Sequence, residues 1–195
     1  MPKDHLLTLV LVSGSLRSHS VNGAVIDTAA ELASADAKAI VYRRLDELPH
    51  FNPDNDHDPL PEAVVDLRTQ LKAADAVLIS TPEYAGSLPG AFKNLLDWTV
   101  GGGSLYGLPV GWINPSAHGG SRDTYAALRI VLERTGAEIV EQACVDVAVP
   151  RDAIGCDGKV AGQNILAAIG RTVVNLLDVA RGRRDHELAQ RQPTN

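Results

Sequence analysis

The stretch that decides the fold is AVLISTPEYAGSLPGAFKNLLDW, residues 76–98. Its first five residues, AVLIS, are almost continuously apolar, as expected for a parallel strand covered on both faces. Pro82 then ends the strand, because proline has no amide hydrogen for a sheet ladder. Gly86 permits a turn, and an amphipathic helix follows, with Ser87 as its predicted N-cap and Pro89 in its first turn. The stretch therefore predicts one strand–loop–helix unit.

The same alternation of apolar run and helical pattern is found along the whole chain. The predicted strands are residues 6–12, 38–44, 76–81, 108–114 and 138–149, and the predicted helices are residues 24–34, 61–75, 88–98, 121–136 and 161–182. Five βα units predict a three-layer α/β sandwich with a five-stranded parallel sheet. Right-handed crossovers leave few strand orders, of which the flavodoxin-like order 2-1-3-4-5 is preferred. The basic end of the second strand predicts an edge position for it.

The length of the chain sets the expected number of domains. A chain of 195 residues is long enough for one sizeable domain and short for two. We therefore predict a single domain over residues 1–182. Residues 183–195 are polar and are expected to fray or to extend the last helix.

Composition and charge narrow the classes of function. Hydrophobic residues make up 45% and charged residues 22% of the chain, as in an ordinary globular protein. The net charge of −6 argues against a nucleic-acid partner, because such proteins usually carry basic patches. No run is long enough to span a membrane, and the N-terminal apolar run predicts a strand and not a signal peptide. The isolated Cys144 and Cys156 are typical of reduced thiols, so we predict a cytoplasmic protein.

Polar loops follow three of the predicted strands. They are residues 13–23, 81–90 and 114–122, and all three are rich in hydroxyl groups, glycine and hydrogen-bonding side chains. In open parallel sheets, ligands bind outside the carboxyl ends of the strands, where the first and third strands lie side by side. We therefore expect the binding site at this edge of the sheet.

The first of these loops, SGSLRSHSVNG at residues 13–23, has the chemistry of a phosphate site. Its hydroxyl and amide side chains form hydrogen bonds, Arg17 supplies a positive charge, and the next helix presents free amides at its N-terminus. For any single residue the alternative is an ordinary helix cap by Ser20 or Asn22, with Arg17 in solvent. The loop has neither the Walker pattern nor GxGxxG, which disfavours a Rossmann dehydrogenase that holds NAD there.

Several motifs together resemble the NADPH-dependent FMN reductase family, which includes flavin, quinone, azo-dye and chromate reductases. SGSLRSHSVN is similar to the family signature GSLR-x-x-S-x-N. TPEYAGSLPGAFKNLLDW is similar to the second signature, P-E-Y-N-G-S-x-P-G-x-L-K-N-x-x-D-W. GGSR at residues 119–122 resembles the family's GGAR, and LPHFNPDND at residues 48–56 resembles its loop after the second strand. The motifs occur in the family's order over most of the chain.

The resemblance implies FMN as the cofactor and NADPH, or NADH, as the co-substrate. It places the phosphate in the first loop, the isoalloxazine edge against residues 82–86 with Tyr84 near the ring, and the loop after the fourth strand on the other side. The implied cofactor-binding residues are Ser15, Leu16, Arg17, Ser20, Val21, Asn22, Pro82, Glu83, Tyr84, Ala85, Gly86, Asn114, Ser116, Gly119 and Gly120. The resemblance also implies a homodimer or homotetramer.

The flavin would carry the hydride, so the resemblance implies no catalytic side chain. The expected reaction is ping-pong transfer from NADPH through FMN to a small-molecule acceptor such as a quinone, free flavin or azo compound. Glu83 is a candidate general acid, but a structural hydrogen bond near the loop or a contact between subunits is the favoured role. His118 is a candidate for polarising a substrate carbonyl, and a solvent-facing loop position is again favoured.

The chain departs from the family signatures at two positions. Ala85 replaces the asparagine of PEYN, which implies a lost side-chain contact and a retained backbone amide. Asn114 stands where members of the family often carry serine. The acidic segment DNDHD, residues 54–58, does not fit a calcium-binding EF-hand, because Pro59 and Val65 stand where glycine and glutamate are required. We predict no metal site.

Two other classes of function compete with a reductase. A flavodoxin-like electron carrier would bind FMN without turning over NADPH, but such proteins usually show an acidic docking surface and a T-x-T-G-x-T phosphate loop, which this chain lacks. A nucleotide-sugar or deoxyribosyl transferase would need a carboxylate beside the sugar, and Glu83 is the obvious candidate. Reduction of the flavin by NADPH separates the three classes.

Overall fold

The computed structural model describes residues 6–116 and 119–191 and contains one parallel sheet with helices on both faces. The strands are β1 (Leu7–Ser13), β2 (Ala37–Tyr42), β3 (Ala76–Ser80), β4 (Pro109–Asn114) and β5 (Glu138–Asp146). The helices are α1 (Val21–Ala33), α2 (Glu62–Lys72), α3 (Gly90–Val100), α4 (Arg122–Arg134) and α5 (Gln163–Arg191). The strand order is β2-β1-β3-β4-β5, so the predicted flavodoxin-like fold and the edge position of β2 are confirmed.

Alternate residues of the strands build two hydrophobic cores, one on each face of the sheet. In β1, Leu9 and Leu11 belong to the core that the sheet shares with α1 and α5. Val10 and Val12 belong to the core on the opposite face, under α2, α3 and α4. None of these four side chains is more than 2% exposed, and each contributes about 2 kcal/mol through burial of apolar surface. The two cores make the three layers of the domain.

The register of the central strands brings two of the predicted loops together. β1 lies between β2 and β3 and pairs in parallel with both. Its last residue, Ser13, pairs with Ser80, the last residue of β3. The chain therefore leaves both strands at the same level of the sheet edge, and the loops after β1 and β3 start as neighbours. This is the switch point at which ligands bind in such sheets.

The last helix is longer than predicted. α5 runs without a break from Gln163 to Arg191, so residue 182, the predicted end of the domain, lies inside it. Extension of the helix is one of the two outcomes expected for the tail, and the domain boundary itself stays a prediction. Within residues 6–116 and 119–191, no helix combines the length and the apolarity needed to cross a bilayer.

The two cysteines are free and lie in different environments. Cys144 is partly buried in β5, and its thiol donates a hydrogen bond to the carbonyl of Val140 at 3.3 Å. Burial raises the pKa of the Cys144 thiol to about 12, so this cysteine stays protonated near neutral pH. Cys156 is exposed in the segment between β5 and α5.

Candidate functional site

A cleft of about 950 Å³ opens where the chain leaves β1 and β3. Many of the predicted cofactor-binding residues line it: Ser15, Leu16, Arg17, Ser20, Val21, Asn22, Pro82 and Tyr84. The others lie in the adjoining loops after β3 and β4 and not in the lining of the cleft: Glu83, Ala85, Gly86, Asn114, Ser116, Gly119 and Gly120. The structure thus gathers the first loop and the β3 exit around one cavity, and it leaves the β4 loop beside it.

The first loop presents a row of backbone amides without partners. Within the described parts of the chain, none of the following N–H groups donates a hydrogen bond to another residue: those of Leu16, Ser18, His19, Ser20, Val21 and Asn22. The last two belong to the first turn of α1, where no helical carbonyl is in reach. Converging amides at a helix N-terminus suit an anion such as phosphate. The chemistry of this set therefore fits the phosphate of FMN.

The local conformation of the first loop follows from two residues. His19 has a φ of 58°, in the left-handed region, and this turns the chain sharply before the helix. Ser20 is the N-cap of α1, and its hydroxyl oxygen accepts a hydrogen bond from the amide of Gly23 at 2.9 Å. The cap that was one alternative for Ser20 is therefore present. It does not compete with anion binding, because the hydroxyl hydrogen stays available as a donor.

Asn22 has a structural bond beneath the loop. Its side chain is 7% exposed, and its Oδ1 accepts a hydrogen bond from the hydroxyl of Ser80 at 2.9 Å. Ser80 is the fully buried last residue of β3. The bond ties the N-terminus of α1 to the strand that carries the second loop. Asn22 therefore fixes the position of the first loop through its carbonyl oxygen.

The exit from β3 contains a tight turn that the sequence did not predict correctly. Tyr84 and Ser87 exchange two backbone hydrogen bonds, of 3.0 and 3.1 Å, around Ala85 and Gly86. The central residues have φ values of 51° and 73°, as a type I′ turn requires. Ser87 is thus a turn residue, and its prediction as the N-cap of α3 is wrong. The residue before α3 is Pro89, which makes no side-chain cap.

The turn explains the asparagine that the family signature carries at position 85. Asparagine followed by glycine is the preferred central pair of a type I′ turn, because asparagine tolerates positive φ better than alanine does. We expect Ala85→Asn to raise the free energy of unfolding by about 0.5 kcal/mol and Ala85→Val to lower it by about 1 kcal/mol. Urea titration of the three proteins measures both changes. Equal midpoints for the three would contradict a turn-forming role of this position.

The carboxylate of Glu83 caps a helix that is distant in sequence. Its Oε2 accepts a hydrogen bond from the amide of Thr124 at 3.2 Å, in the first turn of α4. Thr124 in turn donates its hydroxyl hydrogen to the carbonyl of Ser87 at 2.8 Å. A negative charge at a helix N-terminus is favourable, and Ser121 before α4 supplies no side-chain cap. This contact is the structural hydrogen bond that was favoured for Glu83.

Tyr125, the next residue of α4, forms hydrogen bonds to the backbone near the ends of β3 and β4. Its hydroxyl lies 2.9 Å from the carbonyl oxygen of Ile113 and 3.2 Å from that of Thr81. The same hydroxyl accepts a hydrogen bond from the amide of Thr81 at 3.2 Å. Burial raises the pKa of Tyr125 above its ordinary value, so the hydroxyl stays protonated at physiological pH. We call Glu83, Thr124 and Tyr125 the α4 clasp.

The side chain of Asn114, at the end of β4, forms hydrogen bonds that stabilise the loop after this strand. Its side chain is 2% exposed, its Nδ2 donates to the carbonyl of Gly120 at 3.0 Å and to Asp146 at 2.8 Å, and its Oδ1 accepts from the amide of Ser116. The hydroxyl of Ser116 accepts from the amide of Gly120. These bonds hold the loop in shape, whereas direct contact of its residues with FMN stays a prediction. His118 lies outside the described residues.

Two parts of the cleft were not found by sequence reasoning. Tyr42 at the end of β2 lines it together with Leu45 and Asp46, which follow the strand. Arg151 and residues 154–158 line it before α5. The only sequence signal for the second segment is the pair of glycines around Cys156-Asp157, which marks a turn. Nothing in a local turn signal indicates that this segment packs against α1.

The acidic segment after β2 is held by an ion pair. Asp56 lies 2.7 Å from a guanidinium nitrogen of Arg68, and the Nε of Arg68 donates to the carbonyl of Trp98 at 2.9 Å. Both charged side chains of this pair are largely buried, at 15% and 14% exposure. Among the residues that the structure describes, no group of three or more histidine, cysteine, aspartate or glutamate side chains is arranged to hold a metal ion.

Fold and site together define a class of protein. A parallel sheet in the order 2-1-3-4-5, with partnerless amides after its first strand and a cleft at its switch point, is a flavodoxin-like domain with a candidate phosphate site. The sequence profile described as NADPH-dependent FMN reductase matches residues 7–149. The chain belongs to this family.

Individual relatives agree with this assignment. A 2-hydroxy-1,4-benzoquinone reductase of a Burkholderia species is 36% identical over 137 residues, which cover 65% of this chain and 74% of the relative. A quinone reductase of Escherichia coli K12 is 37% identical over 93 residues, which cover 47% of this chain and 50% of that protein. The chain thus spans about half the length of that relative.

A solved structure extends the similarity over the whole fold. A flavoenzyme NAD(P)H:(acceptor) oxidoreductase from Paracoccus denitrificans superimposes with a TM-score of 0.77 and 28% identity. The superposition covers 91% of this chain and 98% of the other.

Proposed function

We propose that this protein is an FMN-dependent NAD(P)H oxidoreductase that reduces a quinone or a similar small molecule. The observation that carries the proposal is the row of partnerless amides in the first loop of a chain that belongs to the NADPH-dependent FMN reductase family. The names of the relatives support the same acceptor class, since they are called quinone reductases. A cytoplasmic location and a homodimeric or homotetrameric state are part of the proposal.

The first loop would hold the FMN phosphate. The partnerless amides of residues 16 and 18–22 would donate hydrogen bonds, Arg17 would add a charge, and Ser15 and Ser20 offer hydroxyl groups within the same loop. The positive end of the α1 dipole adds to this field. Together these groups favour a dianionic phosphate over the uncharged ribityl end of riboflavin.

The β3 exit and the β4 loop would position the ring. The exposed Tyr84 projects from the tight turn beside the cleft, and the backbone of residues 82–86 supplies polar groups at the ring edge. When bound, FMN supplies the redox chemistry, accepting a hydride from the nicotinamide and passing two electrons to the acceptor. Glu83 is bonded to α4, so its carboxylate orients a helix and does not serve as the proton donor. Reduction of a quinone to a quinol takes up two electrons and two protons: a transferred hydride would carry both electrons and one proton, and the other proton would come from solvent.

An anaerobic reduction experiment tests the proposal. Purified protein loaded with FMN is mixed with NADPH, and the flavin absorbance is followed. We expect rapid bleaching, and rapid recovery of the yellow colour when 1,4-benzoquinone is added. Bleaching that is no faster than that of free FMN would overturn the reductase and favour the electron carrier or the transferase. A protein that neither holds FMN nor gains thermal stability from it would exclude the carrier as well.

A further inference from the structure

The segment between β5 and α5 forms a small hairpin at the cleft, which we call the 151–160 hairpin. Ile154 and Val160 form an antiparallel bridge, and the amide of Gly155 donates to the carbonyl of Lys159 at 2.8 Å. The amide of Ala161 closes the base by donating to Ala153 at 2.7 Å. These bonds define one conformation for a segment that contains two glycines near its tip.

The hairpin is fastened to α1, the helix that begins at the phosphate loop. The amide of Val160 donates to the hydroxyl of Thr28 at 2.9 Å, and both residues are buried in the core. Lys159 lies 2.6 Å from Glu31 in an ion pair at the surface. Because one buried and one exposed contact join the hairpin to the same helix, the wall it forms is fixed relative to the first loop.

Only some of the arginine side chains that line the cleft form ion pairs. Three arginines line it, and one of them, Arg43, forms an ion pair with Asp27 at 2.7 Å. Within residues 6–116 and 119–191, neither Arg17 nor Arg151 forms an ion pair. Asp157 on the hairpin accepts a hydrogen bond from the amide of Lys159 at 3.1 Å, which stabilises the turn. The cleft therefore has two guanidinium groups without a carboxylate partner.

We propose that Arg151 is a second cationic anchor for a phosphate monoester in this cleft, in addition to Arg17 and the amides of the first loop. Both guanidinium groups line the same cleft, and a dianionic phosphate bound there would give each of them a counter-charge. The proposal rests on the proposed function, which supplies two ligands with this chemistry: the 5′-phosphate of FMN and the 2′-phosphate of NADPH. Arginine suits both, because its planar fork matches phosphate oxygens.

Ligand pairs that differ by one phosphate test the proposal and identify its source. The variant is Arg151→Ala, and Arg151 is exposed, so the fold is expected to persist. Dissociation constants for FMN and riboflavin are measured by quenching of flavin fluorescence, and KM values for NADPH and NADH by steady-state assay. We expect a rise of about tenfold for one phosphorylated ligand and no change for its dephosphorylated counterpart, which corresponds to about 1.4 kcal/mol. Arg151→Lys is expected to restore part of the loss.

The pattern of the loss names the ligand. Weakened FMN binding with unchanged riboflavin binding assigns Arg151 to the cofactor phosphate, and a raised KM for NADPH alone assigns it to the co-substrate. Arg171→Ala is the matched control, because Arg171 is an exposed arginine of α5 that does not line the cleft. If the Arg151 variant is unchanged for all four ligands, or loses affinity equally for both members of each pair, the inference is wrong. Failure of the unaltered protein to bind FMN would instead refute the proposed function.

Discussion

Gly14→Ala is expected to lower the free energy of unfolding by about 3 kcal/mol. A Cβ atom on Gly14 would lie 2.2 Å from the Oγ1 and 2.6 Å from the Cβ of Thr81. It would also lie 3.0 Å from the ring of Phe92. The amide of Gly14 donates to the carbonyl of Ser80 at 2.9 Å, so the backbone cannot withdraw without losing that bond. Urea unfolding followed by circular dichroism measures the change.

Gly90→Ala is the matched control for this prediction. Gly90 is the first residue of α3, and a Cβ atom there would meet nothing within 4 Å. Its replacement is expected to leave stability unchanged or to raise it by up to about 1 kcal/mol, since alanine favours helix. The close approach of Gly14 and Thr81 would be disproved if the two alanine variants unfolded at the same urea concentration. Adding Thr81→Ala to the Gly14→Ala variant is expected to restore little of the lost stability, because the Cβ atom of residue 81 is itself too close to a Cβ atom at position 14.

Tyr125→Phe is expected to lower the free energy of unfolding by about 2 kcal/mol. The substitution removes one oxygen atom, and with it the acceptor for the buried amide of Thr81 and the donor to Ile113. A buried polar group that loses its partner costs more than the bond itself contributes, because it recovers no bond to water. Urea titration gives the magnitude.

The control is Tyr106→Phe, at a tyrosine that is 80% exposed. Its hydroxyl faces solvent, and stability is expected to change by no more than about 0.5 kcal/mol. A loss at Tyr125 no greater than that at Tyr106 would show that the hydroxyl of the α4 clasp carries no net stabilisation. Both variants keep the aromatic ring, so packing differences do not obscure the comparison.

The strands followed from the sequence because each has a local signature, and their order was the preferred one of the few that right-handed crossovers allow. Continuous apolar runs such as AVLIS can only be covered on both faces, and this requires helices on both sides of a parallel sheet. The phosphate-site chemistry of the first loop could be predicted for a similar reason, because its position after β1 and its residue types can be read from one short stretch of sequence. Arg17 and Ser20 are examples: both lie in the loop between β1 and α1 and line the cleft at the sheet edge.

The features that were missed have different physical causes. Ser87 has the composition of a helix cap, but its backbone bonds to Tyr84 make it the fourth residue of a turn. The hydrogen bonds of the Asn114 side chain to Gly120 and Asp146 were not predicted from the sequence, and its contact with FMN stays a prediction. The 151–160 hairpin enters the cleft only because it is joined to α1. The amide of Val160 and the hydroxyl of Thr28 belong to segments far apart in the chain, so no pattern within a short window of sequence contains that contact.

The α4 clasp has a consequence for local unfolding. The loop after β3 is bonded to the first turn of α4 through Glu83, Ser87 and Thr81, and the loop after β4 leads directly into the same turn, which is also bonded to Ile113 near the end of β4. Opening either loop therefore breaks bonds that also restrain the other, so the two behave as one cooperative unit with a common opening free energy. Amide hydrogens in both loops should exchange with solvent through the same opening event. A ligand that binds to one loop is therefore expected to slow the local opening of both.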